Sequence, residues 1–278
     1  MRVSVLASGS AGNSIFVWCG NTRILVDSGL SGKEVARRLH LVGAEADGIS
    51  DIVITHDHAD HVRGMGVFAR RHGARLHLTE RTHEACDRYL RGGESVSHFE
   101  PERAFQVGDV HVDPFVTVHD ASDPAGVALT DECTGARLGI ATDLGRMTAS
   151  ARLALAGSTM LVLEANHDPV LLHQSRYPPS VRGRIASSHG HLSNDAAARL
   201  VVELLHPGLA VVVLAHLSEE CNRPELARAA VGEALKKEGW QGRLEVASQH
   251  EPTSLFDLAE DPSPAEHPER SAAVPKAG

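Results

Sequence analysis

Residues 55–61 read THDHADH, with three histidines and two aspartates in seven positions. Imidazole and carboxylate groups crowded this closely compete or repel unless a cation satisfies them, and together they suit zinc, manganese or iron. The stretch follows DIVIT (51–55), so it lies on the loop where a buried strand ends, the rim at which sheet proteins bind ligands. His56, His58, Asp60 and His61 on one short loop cannot by themselves enclose two ions. Three later positions have the right chemistry: His119 in VTVHDA, Asp143 in GIATDLG and His216 in VVVLAHLS, each directly beyond an apolar strand.

The elements that must position these groups follow from periodicity. RVSVLA (2–7), SIFVWC (14–19) and TRILVD (22–27) read as strands, the last two joined by a turn at Gly20–Asn21. KEVARRLHL (33–41) has helical spacing, and ADHVRGMGVFARRHG (59–73) reads as one helix stopped by Gly73. ARLHL (74–78) is a strand and RTHEACDRYL (81–90) a helix. From 95 to 142 the pattern is β-rich, in AFQV, VHVDPFVTV, GVALT and RLGIAT. A helix over 148–156, a strand at TMLVLEA (159–165), a helix from Ser193 to Leu205, a strand at LAVVVLA (209–215), a helix over 225–239 and a strand at RLEVAS (243–248) complete the order. Strands come first and alternate with helices later, which predicts stacked sheets with helices outside. Beyond residue 257 the chain turns Pro-, Ala- and Glu-rich, with too little apolar content to order, so 257–278 is expected to be a disordered tail after a catalytic domain at 1–256.

The 278 residues, 42% hydrophobic and 23% charged, suffice for a real core. Aromatics at 4% argue against an extended stacking platform for single strands. A net charge of −9 argues against a protein that coats nucleic acid. Part of it lies in the tail, and bound divalent ions would offset more. Four scattered cysteines without CxxC fit a reducing compartment and no zinc ribbon. The start has no signal-peptide core and no apolar run reaches membrane length, so the expected location is the cytoplasm, with no membrane partner.

With these residues in place, the chain resembles the metallo-β-lactamase-fold hydrolases over residues 1–250. The resemblance implies an α+β fold, a four-layer αββα sandwich with two divalent metals at the sheet edge. It implies His56, His58 and His119 around one ion, Asp60, His61 and His216 around the other, and Asp143 between them, with Asp27 near the site. LASGSAGNS (6–14), EANHD (164–168), GHLSN (190–194) and AHLSEECN (215–222) further resemble the YycJ/WalJ-type subgroup, related to tRNase Z-like phosphodiesterases. That resemblance implies phosphodiester hydrolysis with nucleic acid as substrate, DNA foremost, in an exonuclease. Zinc is the first expectation for the metal, with manganese and iron as alternatives.

Phosphodiester cleavage needs a nucleophile, charge neutralisation and a proton for the leaving oxygen. The proton donor could be His191, with Glu164 at the end of LVLE orienting it; this matches by resemblance the Glu–His pair of tRNase Z-like enzymes. The other reading is a helix start in which Ser193 or Asn194 caps and His191 decorates the turn. Asp60, Glu164 and His191 are the expected catalytic residues, Asp60 doubling as a ligand. The loop SGSAGNS either presents backbone N–H groups, Ser10 and Asn13 to a phosphate or is a plain turn. Arg176, Arg182 and Arg184, and also Arg63, Arg70 and Arg71, either track a nucleic-acid backbone or form solvated faces. Only 24 positions separate His119 from Asp143 and 73 separate Asp143 from His216, too few for the clamping arm of tRNase Z or the inserted domain of β-CASP nucleases. The main alternative function is a small-molecule hydrolase (lactonase, thioesterase or cyclic phosphodiesterase) on the same metals. A non-catalytic scaffold and a flavodiiron-type redox enzyme fit less well.

Overall fold

The computed structural model describes residues 1–259. Its first half supplies strands β1 (Arg2–Ala7), β2 (Ser14–Cys19), β3 (Thr22–Val26), β4 (Asp51–Val53), β5 (Arg75–Leu78) and β6 (Val96–His98). The second half supplies β7 (Phe105–Val107), β8 (Val110–Val116), β9 (Ala125–Asp131), β10 (Arg137–Ala141), β11 (Met160–Glu164), β12 (Val211–Ala215) and β13 (Arg243–Val246). A last short strand, β14 (Phe256–Asp257), crosses back to pair with β1. The two sheets run β14-β1-β2-β3-β4-β5-β6 and β13-β12-β11-β10-β9-β8-β7. Helices α1 (Gly32–Leu41), α2 (Ala59–Val62), α3 (Met65–His72) and α4 (Glu80–Ala85) belong to the first half. The second half has α5 (Ala149–Leu155), α6 (Pro169–Gln174), α7 (Pro179–Ile185), α8 (Asn194–Glu203) and α9 (Pro224–Lys237).

Why the strands read as unbroken apolar runs is visible in the packing. Side chains alternate faces along a strand. In β2, Ile15, Val17 and Cys19 enter the core between the sheets, while Phe16 and Trp18 face the helices. In β12, Val211, Val213 and Ala215 face inward, while Val212 and Leu214 meet the outer helices. Both faces of each sheet are covered, so both must be apolar. Val35 and Leu39 of α1 and Phe68 of α3 seal the first sheet; Val201 of α8 and Ala227, Val231 and Leu235 of α9 seal the second. The result is the four-layer αββα sandwich.

The structure differs from the sequence reading in three places. The helix expected over 59–73 breaks into α2 and α3 at Gly64, whose N–H bonds Ser28 O at 2.8 Å. A Cβ there would lie 1.8 Å from Leu30 O, so the break lets the chain press against the 28–30 backbone. The helix expected over 81–90 stops at Ala85 and continues as a 3₁₀ turn at Asp87–Tyr89. At the far end, Phe256 and Leu258 are buried in the intersheet core. Residues 260–278, most of the expected tail, lie outside the described residues. No helix among the described residues is long and apolar enough to cross a membrane.

Sheet direction positions the site. β3 and β4 run parallel; β10, β11 and β12 run parallel. β8 and β10 both pair antiparallel with β9, so β8 shares their direction. The carboxyl ends of these strands gather on one rim, where Ala125 N–H donates to Thr55 O at 2.9 Å and ties the two sheets together.

Candidate metal centre

Six chemically distinctive strand ends meet on that rim. Asp27 follows β3, His56 follows β4, His119 follows β8, Asp143 follows β10, Glu164 ends β11 and His216 follows β12. Four non-glycine residues among the described ones have positive φ, and three of them are Asp27 (62°), Asp143 (55°) and His216 (55°). A left-handed turn directly after a strand swings the side chain toward the rim. It costs about 1–3 kcal/mol per residue, which the packed sheets must offset.

The hydrogen bonds behind the imidazoles decide which ring nitrogen faces the centre. Asp27 accepts from Thr55 N–H at 2.9 Å and from His61 Nδ1 at 2.8 Å. His61 Nε2 is thereby turned toward Asp143 Oδ2 (3.2 Å) and Asp60 Oδ2 (3.5 Å). His58 donates Nε2–H to Asp120 O (3.2 Å), and His119 donates Nδ1–H to Gly190 O (3.2 Å). Carbonyls only accept, so these contacts set both tautomers and leave His58 Nδ1 and His119 Nε2 facing each other at 3.3 Å. His216 turns Nδ1 toward Glu164 Oε1 (3.3 Å) and Nε2 toward Asp60 Oδ2 (3.4 Å) and Asp143 Oδ1 (3.5 Å).

His191 stands beside this cluster. Its Nδ1 lies 2.7 Å from Glu164 Oε1, and the other oxygen of Glu164 accepts from Leu144 N–H (2.9 Å) and Leu192 N–H (3.0 Å). Glu164 is fully buried, so its charge is held by these donors and by His216. Ser193 caps α8, its Oγ accepting from Ala196 N–H at 3.2 Å. The two sequence readings of GHLSN therefore fall on different residues: Ser193 starts the helix, while His191 meets Glu164.

Electrostatics follow from burial and charge. Burial pushes His56 well below the usual imidazole range, and neighbouring His61 adds to the effect. Burial also opposes charge on His61 and His216, but carboxylates overcome it. Asp27 and Asp143 raise His61 well above its usual range, and Asp143 with the Asp60 and Glu164 hydrogen bonds raises His216 to about 10. Against burial, His216 and His61 hold Asp143 well below the carboxylate range, and His191 brings Glu164 to about 2. For His191, burial lowers and Glu164 raises the pKa, with a net upward direction.

The residues fit a metal. Four buried side-chain polar atoms among the described residues lack a hydrogen-bond partner, and two of them, His56 Nε2 and Asp143 Oδ2, belong to this cluster. A buried acceptor left unpaired is costly, and a cation would satisfy both. Donor atoms of His56, His58 and His119 lie within 4.8 Å of one another, as do those of Asp60, His61 and His216 and those of His56, His61 and Asp143. Nitrogen and oxygen donors without sulfur suit zinc, manganese or iron.

The remaining sequence candidates divide. Ser10 is exposed and lines a cavity of about 170 Å³ over the cluster. Asn13 does not face a ligand: it is buried, with Nδ2 3.0 Å from Asp60 Oδ2 and Oδ1 accepting from Gly9 N–H (2.9 Å). Three more of the loop's amides are engaged, Ala11 N–H with Gln249 Oε1 (2.8 Å), Gly12 N–H with Gly9 O (3.0 Å) and Asn13 N–H with Asp60 O (2.7 Å). Through Asn13 the glycine loop holds Asp60. Arg176 is exposed, does not line the cavity, and meets Glu220 through its backbone N–H (3.4 Å). Asp57 faces away and holds Ser122 by its N–H (2.9 Å) and hydroxyl (3.1 Å). Sequence reasoning passed over Asp120, which lines the cavity; its one signal was adjacency to His119.

Comparison with known proteins agrees with this geometry. The family model described as the beta-lactamase superfamily domain matches residues 22–248. The chain is 33% identical over 246 residues to exodeoxyribonuclease YycJ of Bacillus anthracis, covering 86% of this chain and 91% of that protein. It is 34% identical over 231 residues to exodeoxyribonuclease WalJ of Streptococcus pneumoniae, covering 81% and 85%. Among solved structures, the metallo-beta-lactamase fold protein YhfI from Bacillus subtilis aligns with a TM-score of 0.68 at 16% identity, over 91% of this chain and 98% of that one. The short form of human tRNase Z aligns at 0.64 and 16%, over 92% and 100%. These structural likenesses carry the fold; the sequence matches carry the family. The chain belongs to the beta-lactamase superfamily, as a metal-dependent hydrolase with the metallo-β-lactamase fold and of the YycJ/WalJ-type subgroup.

Proposed function

We propose that this chain is a dinuclear-metal phosphodiesterase that removes nucleotides from the ends of DNA. The observation that carries the reading is the Glu164–His191 pair, at 2.7 Å, standing beside the ligand cluster at the cavity wall. Hydrolysis of a lactone or thioester asks less of a leaving-group donor than a phosphodiester does.

In this reading His56, His58 and His119 hold one ion, Asp60, His61 and His216 hold the other, and Asp143 serves both. The donor atoms within each triad lie within 4.8 Å of one another, as do those of His56, His61 and Asp143 across the division and those of Asp143, Glu164, His191 and His216. The ions, zinc in the first instance, supply charge neutralisation for the phosphate and a lowered pKa for water. Asp27 orients His61, Asn13 holds Asp60 beside it, and Gly190 O orients His119. His191, its Nδ1–H held by Glu164, presents Nε2–H to the leaving oxygen and gives up that proton as the P–O bond breaks. Glu164 stabilises the imidazolium from behind.

The cavity over the cluster is about 170 Å³, room for the reacting group of a substrate. The two relatives named exodeoxyribonucleases support DNA as that substrate. The test is digestion of end-labelled single- and double-stranded DNA and RNA by metal-reconstituted protein, beside a lactone and a thioester. Release of mononucleotides from DNA ends is the expected result. Turnover of the ester substrates with DNA left intact would overturn the reading in favour of a small-molecule hydrolase.

A further inference from the structure

We propose that Arg184 forms a second phosphate subsite at the mouth of the centre, where it engages the backbone phosphate adjacent to the one being cleaved. This deepens the nuclease reading and rests on it. Arg184 is the sole lysine or arginine among the residues that line the cavity. Of the other arginines singled out by sequence, three are used elsewhere: Arg63 bonds the carbonyls of Ala11 and Gly29, Arg70 pairs with Glu94, and Arg182 bonds His173 O; Arg71 and Arg176 do not line the cavity.

Placement argues for the adjacent phosphate rather than the reacting one. Asp120 stands between Arg184 and the imidazoles, with Oδ1 3.4 Å from His119 Nε2 and Oδ2 3.6 Å from Arg184 Nη1. The carboxylate screens the guanidinium from the cluster, so its free face meets whatever lies further out. The Arg184–Asp120 contact is longer than a hydrogen bond, and the Arg184 side chain is 68% exposed. Such a pair contributes little and can give way to a bidentate bond with phosphate.

The arginine is nevertheless well placed relative to the chemistry. Helix α7 has no fully buried residue, yet its end is pinned. His191 N–H donates to Ile185 O at 2.9 Å. A Cβ on Gly190 would lie 2.2 Å from Arg184 O, and one on Gly145 would lie 2.3 Å from Ser188 O. The α7 terminus therefore sits directly on the backbone that carries His191, and the segment after it, at Ser188, packs on the backbone that follows Asp143. Backbone contacts thereby tie the α7 end that carries Arg184 to the proton donor.

The experiment compares metal-loaded parent, Arg184→Ala and Arg184→Lys on an end-labelled oligonucleotide and on bis(p-nitrophenyl) phosphate, a diester with a single phosphate. Loss of one charged phosphate contact should raise KM for the oligonucleotide by roughly tenfold with little change in kcat. The loss on the single-phosphate diester should be much smaller. Arg184→Lys should recover part of the affinity, since a point charge remains. The slope of log KM against log salt should fall by about 0.7 on a single strand, the contribution of one phosphate. Unchanged oligonucleotide kinetics in Arg184→Ala, or an equal loss on both substrates, would overturn the subsite. A parent that hydrolyses the diester but spares DNA would instead sink the nuclease reading itself.

Discussion

Single atoms set the chemistry of this site. His58, His61 and His119 each spend one ring nitrogen on an oxygen of the scaffold, so the other nitrogen is committed to the centre without choice of tautomer. His191 uses the same device with Glu164, but it is half-buried and adjoins the cavity. The distinction between ligand and proton donor can be measured. In Asp143→Ala, metal content and activity should fall together, because the carboxylate lies within reach of histidines from both ligand triads. In His191→Ala, metal content measured by elemental analysis should stay at the parent level while kcat drops by roughly 10²- to 10⁴-fold. Loss of metal from the His191 variant would make it a ligand, and unchanged kcat would remove it from the reaction.

At the level of elements, the site is held from behind by contacts far apart in sequence. Arg38 of α1 is buried and donates Nη1–H to Leu6 O (2.8 Å) and to Gln249 O (2.9 Å). Gln249 in turn bonds Ala11 N–H (2.8 Å) and Gly12 O (2.8 Å), and the loop so fixed carries Asn13 to Asp60. Glu34, one turn before Arg38, accepts from its Nε at 2.7 Å and from Arg37 Nη2 at 2.8 Å. The Arg37 hydrogen bond, aided by Arg38 against burial, lowers Glu34 from 4.5 to about 2. A depressed carboxylate stabilises the fold above its unfolded pKa and loses that contribution as pH falls through the folded value. Glu34→Gln should therefore melt below the parent at neutral pH, with a gap that is complete above about 4.5 and closes toward pH 2. Thermal melts across that range check it; a gap independent of pH would show that the ion pair is not its source.

Across the whole molecule, the sheets isolate chemistry from core. The reactive groups lie on one rim, and the interior is left apolar on both faces of each sheet. The cysteines report on this division. Cys19, Cys86 and Cys221 are buried, and burial, aided by Asp131 beside the first and Asp57 beside the second, raises the Cys19 and Cys86 thiols to about 12. Cys133 is exposed. A thiol needs to ionise and be reached in order to react. A disulfide reagent should thus modify one thiol per folded chain and all four after denaturation, counted by released chromophore. Rapid modification of a second thiol under native conditions would mean that a core opens more readily than its packing implies.

The sequence by itself marked the candidate metal-binding residues and put them at strand ends. Local residue type and period-two patterning encode both, and an apolar run that stops at His119, Asp143 or His216 is legible without any partner. Helix breaks were less legible: the split at Gly64 depends on Leu30 O, which periodicity cannot see. Tertiary structure alone decided side-chain direction. It turned Asn13 inward onto Asp60, sent Asp57 to Ser122 and left Arg176 outside while Arg184 met the cavity. These outcomes hang on contacts between segments tens to hundreds of residues apart. A hydrogen-bonding side chain takes its direction from the partner it finds there, not from its neighbours along the chain.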